Sequence, residues 1–322
     1  MPISLLSTGR YLPPFTVGNE AFTQFLDTSD EWIVSRTGIH QRHIAQEETT
    51  TDLATRAAAQ ALERSGLAPE EIGLVVCATV TPDTSVPMVA ANVKRGLGIE
   101  RAAAFDVNAN CSSFLYALAA ARGMMETCGF ANAIVVGADC NSQLIDWSDR
   151  STCVLFGDGA GAVVLHRGEE PGFLSCYVDC VTDTDHVLTC HHPRKDTPFC
   201  KAGAPHNTDL YMKGSAVMRF AVKALAKAVR AAAAEAGVAV EDIAYFVPHQ
   251  ANLRIIQSAS KLMKIPMEKF VVDIDHVANT SSGSVPVALD ILNCSGQLKK
   301  GDLVCLVAFG GGLSSAASVI RV

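Results

Sequence analysis

Ser65-Gly-Leu-Ala-Pro-Glu-Glu-Ile-Gly-Leu-Val-Val-Cys77 reads like Ala236-Gly-Val-Ala-Val-Glu-Asp-Ile-Ala-Tyr-Phe-Val-Pro248, 171 residues further along the same chain. Each copy follows an Ala-rich helical stretch, 51–64 and 218–235, and leads into an apolar run bounded by turn formers, the pattern of a buried strand. A second echo places Asn110-Cys111-Ser112-Ser113 before one apolar helix and Asn279-Thr280-Ser281-Ser282 before another, 169 residues apart. A third pairs Phe156-Gly-Asp-Gly-Ala-Gly161 with Phe309-Gly-Gly-Gly312, both Gly-rich turns next to small-residue strands. Three echoes in one order indicate a duplicated α/β unit of roughly half the chain. The expected halves are 1–170 and 171–322. Strands alternating with helices predict mainly parallel sheet covered by helices on both faces. The stretch 169–209, rich in Pro, His, Cys and Asp, reads as an irregular connection or flap.

The 322 residues are 49% hydrophobic and 18% charged, a profile that can bury a large core. The net charge of −7 comes with no run of like charges, so nucleic acid is not an expected partner. The N-terminus lacks a basic segment followed by an apolar one, and no apolar run reaches the ~18 residues that span a bilayer. The expected location is the cytoplasm, without membrane insertion. Eleven cysteines, several in apolar strand-like segments, read as reduced packing residues. Cys190, His191, His192 and Cys200 lack the close Cys spacing of a zinc knuckle, so no metal is expected there.

Cys111 follows a strand-like run, 102–107, and directly precedes an apolar helix, 113–125. A thiol at a helix N-terminus meets unpaired N–H groups and the positive end of the macrodipole, which favour thiolate. By spacing alone the commoner reading is a buried packing cysteine. His249, in Val247-Pro-His-Gln-Ala-Asn252, sits between a strand and a helix, and Asn279 occupies the matching junction of the later echo. Such junctions collect side chains at the carboxyl ends of strands, where open α/β sheets bind ligands. The glycines 310–312 could bring N–H groups close to a developing oxyanion or simply form a tight turn. Gly157-Asp-Gly-Ala-Gly161 leads into a strand, the wrong context for a dinucleotide loop.

These motifs, together with Asp27-Thr-Ser-Asp-Glu-Trp-Ile-Val34, Arg36-Thr-Gly-Ile39 and Pro248-His-Gln-Ala-Asn-Leu-Arg254, resemble the β-ketoacyl-acyl-carrier-protein synthase III enzymes of the thiolase superfamily over nearly the whole chain. The resemblance implies a five-layered αβαβα fold and a homodimer. It implies Cys111, His249 and Asn279 as catalytic residues, with the backbone N–H groups of Cys111 and Gly311 as oxyanion hole. An acyl-CoA would acylate Cys111, and malonyl-acyl-carrier protein would then lose CO₂ and attack the acyl group. No redox or metal cofactor is implied. Trp32, Arg36, Arg150, Asn252 and Arg254 match positions that meet CoA. Arg219 and Lys261 match a carrier-docking face that Lys213, Lys223, Lys227 and Arg230 could broaden, or that could be ordinary solvated charge.

Three departures stand out. Val86 replaces a bulky aromatic that in the family reaches the acyl pocket across the dimer, so a primer longer than acetyl is expected. Ala278 stands where glycine is usual, and Ser282-Gly283 replaces an Ala pair. The alternatives within this fold are an acyltransferase of specialised metabolism with another acceptor, and a thiolase or hydroxymethylglutaryl-CoA synthase. The latter two would need a second cysteine or a glutamate base, and neither is evident at the matched junctions.

Overall fold

The segments Leu74–Ala78 and Leu303–Gly310 carry no charged residue and are buried along their whole length, as strands covered on both faces must be. The computed structural model describes residues 2–170, 172–192, 196–199 and 208–322. The chain opens with β1 (Ile3–Tyr11), then β2 (Thr16–Gly18), α1 (Asp30–Thr37), β3 (Gln41–His43) and α2 (Thr50–Ser65). There follow β4 (Leu74–Ala78), α3 (Val89–Gly96), β5 (Ala103–Val107), α4 (Ser113–Cys128), β6 (Asn132–Cys140) and β7 (Asp158–Arg167). The later elements are β8 (Tyr177–Cys180), β9 (Leu188–Thr189), β10 (Tyr211–Met212), α5 (Gly214–Ala236) and β11 (Tyr245–Pro248). The chain ends with α6 (Leu253–Met263), α7 (Ile274–Val277), α8 (Ser284–Cys294), β12 (Leu303–Gly310) and β13 (Ser314–Arg321).

Local chemistry sets the helix ends. Thr49 and Asp52 form a reciprocal capping box at the start of α2, which ends on Gly66 in the left-handed region at φ 72°. The equivalent α5 ends on Gly237 at φ 68°. These are the two glycines of the repeated stretch, so the echo in sequence is an echo of one helix stop.

The duplication extends to topology. One sheet runs β1-β7-β6-β4-β5 and the other β8-β13-β12-β11. In both, the first two pairings are antiparallel and the third is parallel. The sheets are therefore mixed, where the alternation of elements predicts mainly parallel strands. For β12 and β13 the reason is the connection: only Gly311–Leu313 joins them, and a parallel crossover needs about a dozen residues, whereas β6 and β7 pair antiparallel across a much longer link. The counterpart of β5 in the second sheet is reduced to one bridge between Phe246 and Phe270, because the chain turns into α7 just beyond it. The described residues of the 169–209 stretch are less irregular than its composition predicts, since they supply β8 as an edge strand and β9, which pairs with β10.

Five layers result. Helices α2 and α3 cover the outer face of the first sheet, and α5, with α6 packed on it, covers the second. Between the sheets lie α4 and α8, each touching strands of both. Phe114, Leu118 and Met125 of α4 are fully buried there with Val285 and Leu289 of α8. Each such side chain contributes about 1.5–3 kcal/mol on burial, so the central layer binds the two halves into one body. It also sets the N-termini of α4 and α8 side by side in the interior.

Candidate functional site

The turn between β5 and α4 carries Cys111 and is held by its own polar side chains. Asn110 adopts φ 54°, the Ala109 N–H donates to Ser113 Oγ at 2.7 Å, and the hydroxyls of Ser112 and Ser314 pair at 2.6 Å. The last contact ties the start of α4 to β13. A Cβ on Gly310 would lie 2.8 Å from the Cys111 nitrogen, so only glycine lets β12 approach the thiol's backbone this closely. Gly310 lines the cavity at this point. Gly311 follows it, buried, with its carbonyl accepting from Asn110 Nδ2 at 3.2 Å and from Ser314 Oγ at 3.0 Å.

His249 continues β11, its N–H donating to the Val307 carbonyl at 2.8 Å, and its ring meets the Phe309 ring edge-on with centroids 5.2 Å apart. Asn279 is anchored on both sides of its peptide: its N–H donates to Leu155 O at 3.1 Å and its carbonyl accepts from the Gly157 N–H at 3.0 Å. The Ser281 N–H donates to Asn279 Oδ1 at 2.9 Å, which fixes the carboxamide so that its oxygen is engaged. Asn279 follows the short α7 rather than a strand, unlike the junction its echo with Asn110 predicts. Ala278, immediately before it, takes φ 62°, a conformation that disfavours any side chain.

One cavity of about 430 Å³ collects these residues: Cys111, His249, Asn279 and Ser281 line it, with Phe309 and Gly310. Its remaining walls are largely apolar, among them Leu144, Leu155, Leu188, Leu210 and Met212. Burial pushes the Cys111 thiol up to about 11, opposed in part by a hydrogen bond from the Ser281 hydroxyl. Burial likewise pushes His249 down to about 3, so both groups are neutral near pH 7. This corrects the thiolate expected from the helix N-terminus. A helix end contributes ~0.3–1 kcal/mol when exposed and up to ~2 when partly buried, less than the ~2.7 kcal/mol of a two-unit rise. Alkylation of resting Cys111 by iodoacetamide should therefore climb about tenfold per pH unit from 7 to 10 without levelling.

The sequence comparisons bear on what this cavity does. The pattern described as 3-Oxoacyl-[acyl-carrier-protein (ACP)] synthase III matches residues 105–183, and that of its C terminal region matches 233–322. A β-ketoacyl-[acyl-carrier-protein] synthase III of Clostridium beijerinckii is 43% identical over 319 residues, 99% of each chain. That of Rhizorhabdus wittichii is 45% identical over 98% of each. The chain belongs to the β-ketoacyl-acyl-carrier-protein synthase III family. A crystal structure of the 3-oxoacyl-[acyl-carrier-protein] synthase III of Aquifex aeolicus matches with TM-score 0.92 at 39% identity, covering 99% of this chain and 100% of that one. The chain is thus a condensing acyltransferase with the thiolase fold, as its motifs imply.

Around the mouth of this synthase III cavity stand Trp32, Arg36, Asn252 and Arg254. Arg150 joins them through Trp32: its guanidinium lies 4.6 Å from the ring centroid, and that of Arg36 lies 5.8 Å away. Asn252 caps α6 and donates to the Arg36 carbonyl at 3.0 Å, tying α6 to α1. Val86 does not line the cavity of its own chain and is 89% exposed. Arg219 and Lys261 are exposed on α5 and α6. Lys261 lies two turns from Arg254 on the same face, and Arg219 one turn from the cavity-lining Ser215. Lys227 is engaged with Asp179 at 2.7 Å. Among the described residues no three His, Cys, Asp or Glu side chains are placed to hold a metal ion, and Cys200 lies outside them. No helix among the described residues is long and apolar enough to cross a membrane.

Motif reading overlooked Phe309 and Ser281 as members of the site, although both stand inside quoted motifs. The available signal was the echo itself, which sets the Asn279 turn beside the Cys111 turn.

Proposed function

We propose that this synthase III joins an acyl-CoA primer, acetyl or longer, to malonyl-acyl-carrier protein, with Cys111, His249 and Asn279 as its catalytic residues. The observation that carries this reading is the convergence of those three side chains on one apolar cavity. Cys111, protonated at rest, gives up its proton as its sulfur attacks the thioester carbon as thiolate; a C–S bond forms, CoA leaves, and the proton ends on the CoA sulfur. N–H groups of Cys111 and Gly311 hold the oxyanion. Malonyl-acyl-carrier protein then loses CO₂, and the enolate oxygen is held by donors from His249 and Asn279. Its carbon attacks the acyl group, the acyl–sulfur bond breaks, and the Cys111 thiolate takes up a proton from solvent. β-Ketoacyl-acyl-carrier protein leaves, two carbons longer. The sequence as written calls for no metal or redox cofactor.

CoA enters past Trp32, whose flat ring suits adenine, with Arg36, Arg150, Asn252 and Arg254 meeting its polar and phosphate groups. The acidic carrier docks on Arg219 and Lys261, beside the mouth. The enzyme works as a cytoplasmic homodimer. Support for the dimer comes from β5, an edge strand whose five residues are all half-exposed, and such an edge is ordinarily covered. The acceptor of a specialised-metabolism acyltransferase is the weaker reading, since the curated relatives carry the condensing name.

The test is mass spectrometry of products from malonyl-acyl-carrier protein and primers from acetyl- to dodecanoyl-CoA, branched ones included. A β-ketoacyl-carrier product is expected, and acyl-Cys111 without condensation would point to another acceptor. Val86→Phe should shift the preferred primer at least tenfold toward acetyl-CoA in the ratio of kcat/KM values. An unchanged preference would show that Val86 does not shape the pocket.

A further inference from the structure

We propose that Ser281 is a further catalytic residue, whose hydroxyl donates to the Cys111 sulfur and stabilises the thiolate that attacks the primer. The proposal rests on Cys111 being the nucleophile. Ser281 Oγ lies 3.6 Å from Cys111 Sγ, within hydrogen-bond range for sulfur, and both residues line the cavity. A hydrogen bond to an anion is roughly twice as strong as one between neutral groups, so this contact gains strength as the thiol ionises. The surroundings are apolar and the thiol lies in the interior, where such a donor acts with little screening. Burial raises the thiol and the Ser281 hydroxyl is the leading opposing group.

The backbone is arranged to keep the hydroxyl there. Ser281 is 2% exposed and adopts φ 52°, a left-handed conformation uncommon for a residue with a side chain. The next residue holds it in place. The Ser282 N–H donates to Asp139 Oδ2 at 2.9 Å and its hydroxyl is bonded to the same carboxylate, itself fully buried at the end of β6. A Cβ on Gly137 would come within 2.2 Å of the Ser282 carbonyl, so β6 admits this turn only through glycine. The Ser282 hydroxyl thereby locks the turn that presents Ser281. The Ser281 N–H, which orients Asn279, is backbone and independent of the hydroxyl.

The balance of the step is unchanged: the Cys111 S–H bond breaks, the S–C bond to the acyl group forms, and the proton ends on the CoA sulfur. Ser281 keeps its own proton and only solvates the anion.

Ser281→Ala and Ser281→Gly separate chemistry from strain. Both remove the hydroxyl and keep the N–H, whereas glycine suits φ 52° better than serine or alanine does. The measurements are the pH dependence of Cys111 alkylation by iodoacetamide, the rate of acyl-Cys111 formation from acetyl-CoA, primer-independent decarboxylation of malonyl-acyl-carrier protein, and thermal melting. Both variants should alkylate and acylate about tenfold more slowly at pH 8, a profile displaced upward by about one unit, with decarboxylation held within about twofold. Wild-type rates in Ser281→Gly would assign the alanine effect to backbone strain and overturn the proposal. So would unchanged profiles in both variants, or decarboxylation falling in step with acylation. Absence of acyl-Cys111 in the wild-type enzyme would instead remove the nucleophile on which the proposal rests.

Discussion

Cys111→Ala should lower condensation by at least about 10⁴-fold while leaving the fold intact, because among the described residues no other thiol lines the cavity to carry the acyl group. The thiol contributes little to packing: Cys111 is only partly buried and its exposed surface faces the cavity. Its backbone, by contrast, is held by the Gly310 approach and by the Ser112–Ser314 pair, neither of which needs the sulfur. The melting temperature should therefore move by no more than a few degrees. Decarboxylation of malonyl-acyl-carrier protein should persist, since His249 and Asn279 are untouched. The measurement is product mass spectrometry beside intact-protein mass. Condensation within tenfold of wild type would remove Cys111 from the mechanism.

His249→Ala and Asn279→Ala should each lower decarboxylation and condensation by about 10²–10³-fold, the cost of losing one oxyanion donor in a water-poor site, ~2.7–4 kcal/mol. Acyl-Cys111 should still form and accumulate in both variants. That split distinguishes a role in the second half-reaction from a role in activating the thiol. Neutral His249 also predicts the pH response. Burial holds it down to about 3, so it does not change charge across pH 5–8, and decarboxylation should show no limb near the ordinary histidine value of ~6.5.

Stability responds differently. The unfolded chain takes up a proton on this histidine near pH 6.5, which the folded chain refuses until about 3. Unfolded protein thus binds more protons within that window, and this group makes stability fall as pH drops from ~6.5 toward 3, by up to ~1.4 kcal/mol per unit. Above ~6.5 its effect is complete and flat. Comparing urea midpoints of wild type and His249→Asn from pH 7 to 5 isolates this slope, and equal slopes would place the imidazole in contact with water.

Much of the molecule was legible because its information is local and repeated. The echo at Ser65 and Ala236 marked two helix stops and two strands, since a left-handed glycine after an Ala-rich helix is a requirement of the backbone itself. The Cys111, His249 and Asn279 motifs were legible as members of a family whose motifs span the chain. Sheet direction was not, because alternation of elements is the same for a crossover and for a return; the short β12–β13 connection decides that one pair, while β6 and β7 return antiparallel across a long one.

The charge state of the nucleophile was likewise hidden. Sequence shows that Cys111 precedes a helix, which favours thiolate, but burial depends on what packs over it from the other half. The contact between Ser281 and Cys111 joins residues 170 positions apart, and the Ser282–Asp139 contact that steadies it joins residues 143 apart. What the sequence by itself determined about this protein was therefore its duplicated units, its helix ends and its family. Tertiary structure alone decided strand sense, proton affinity and the neighbours of the thiol, because direction, desolvation and hydrogen bonding depend on distances in space that chain spacing does not encode.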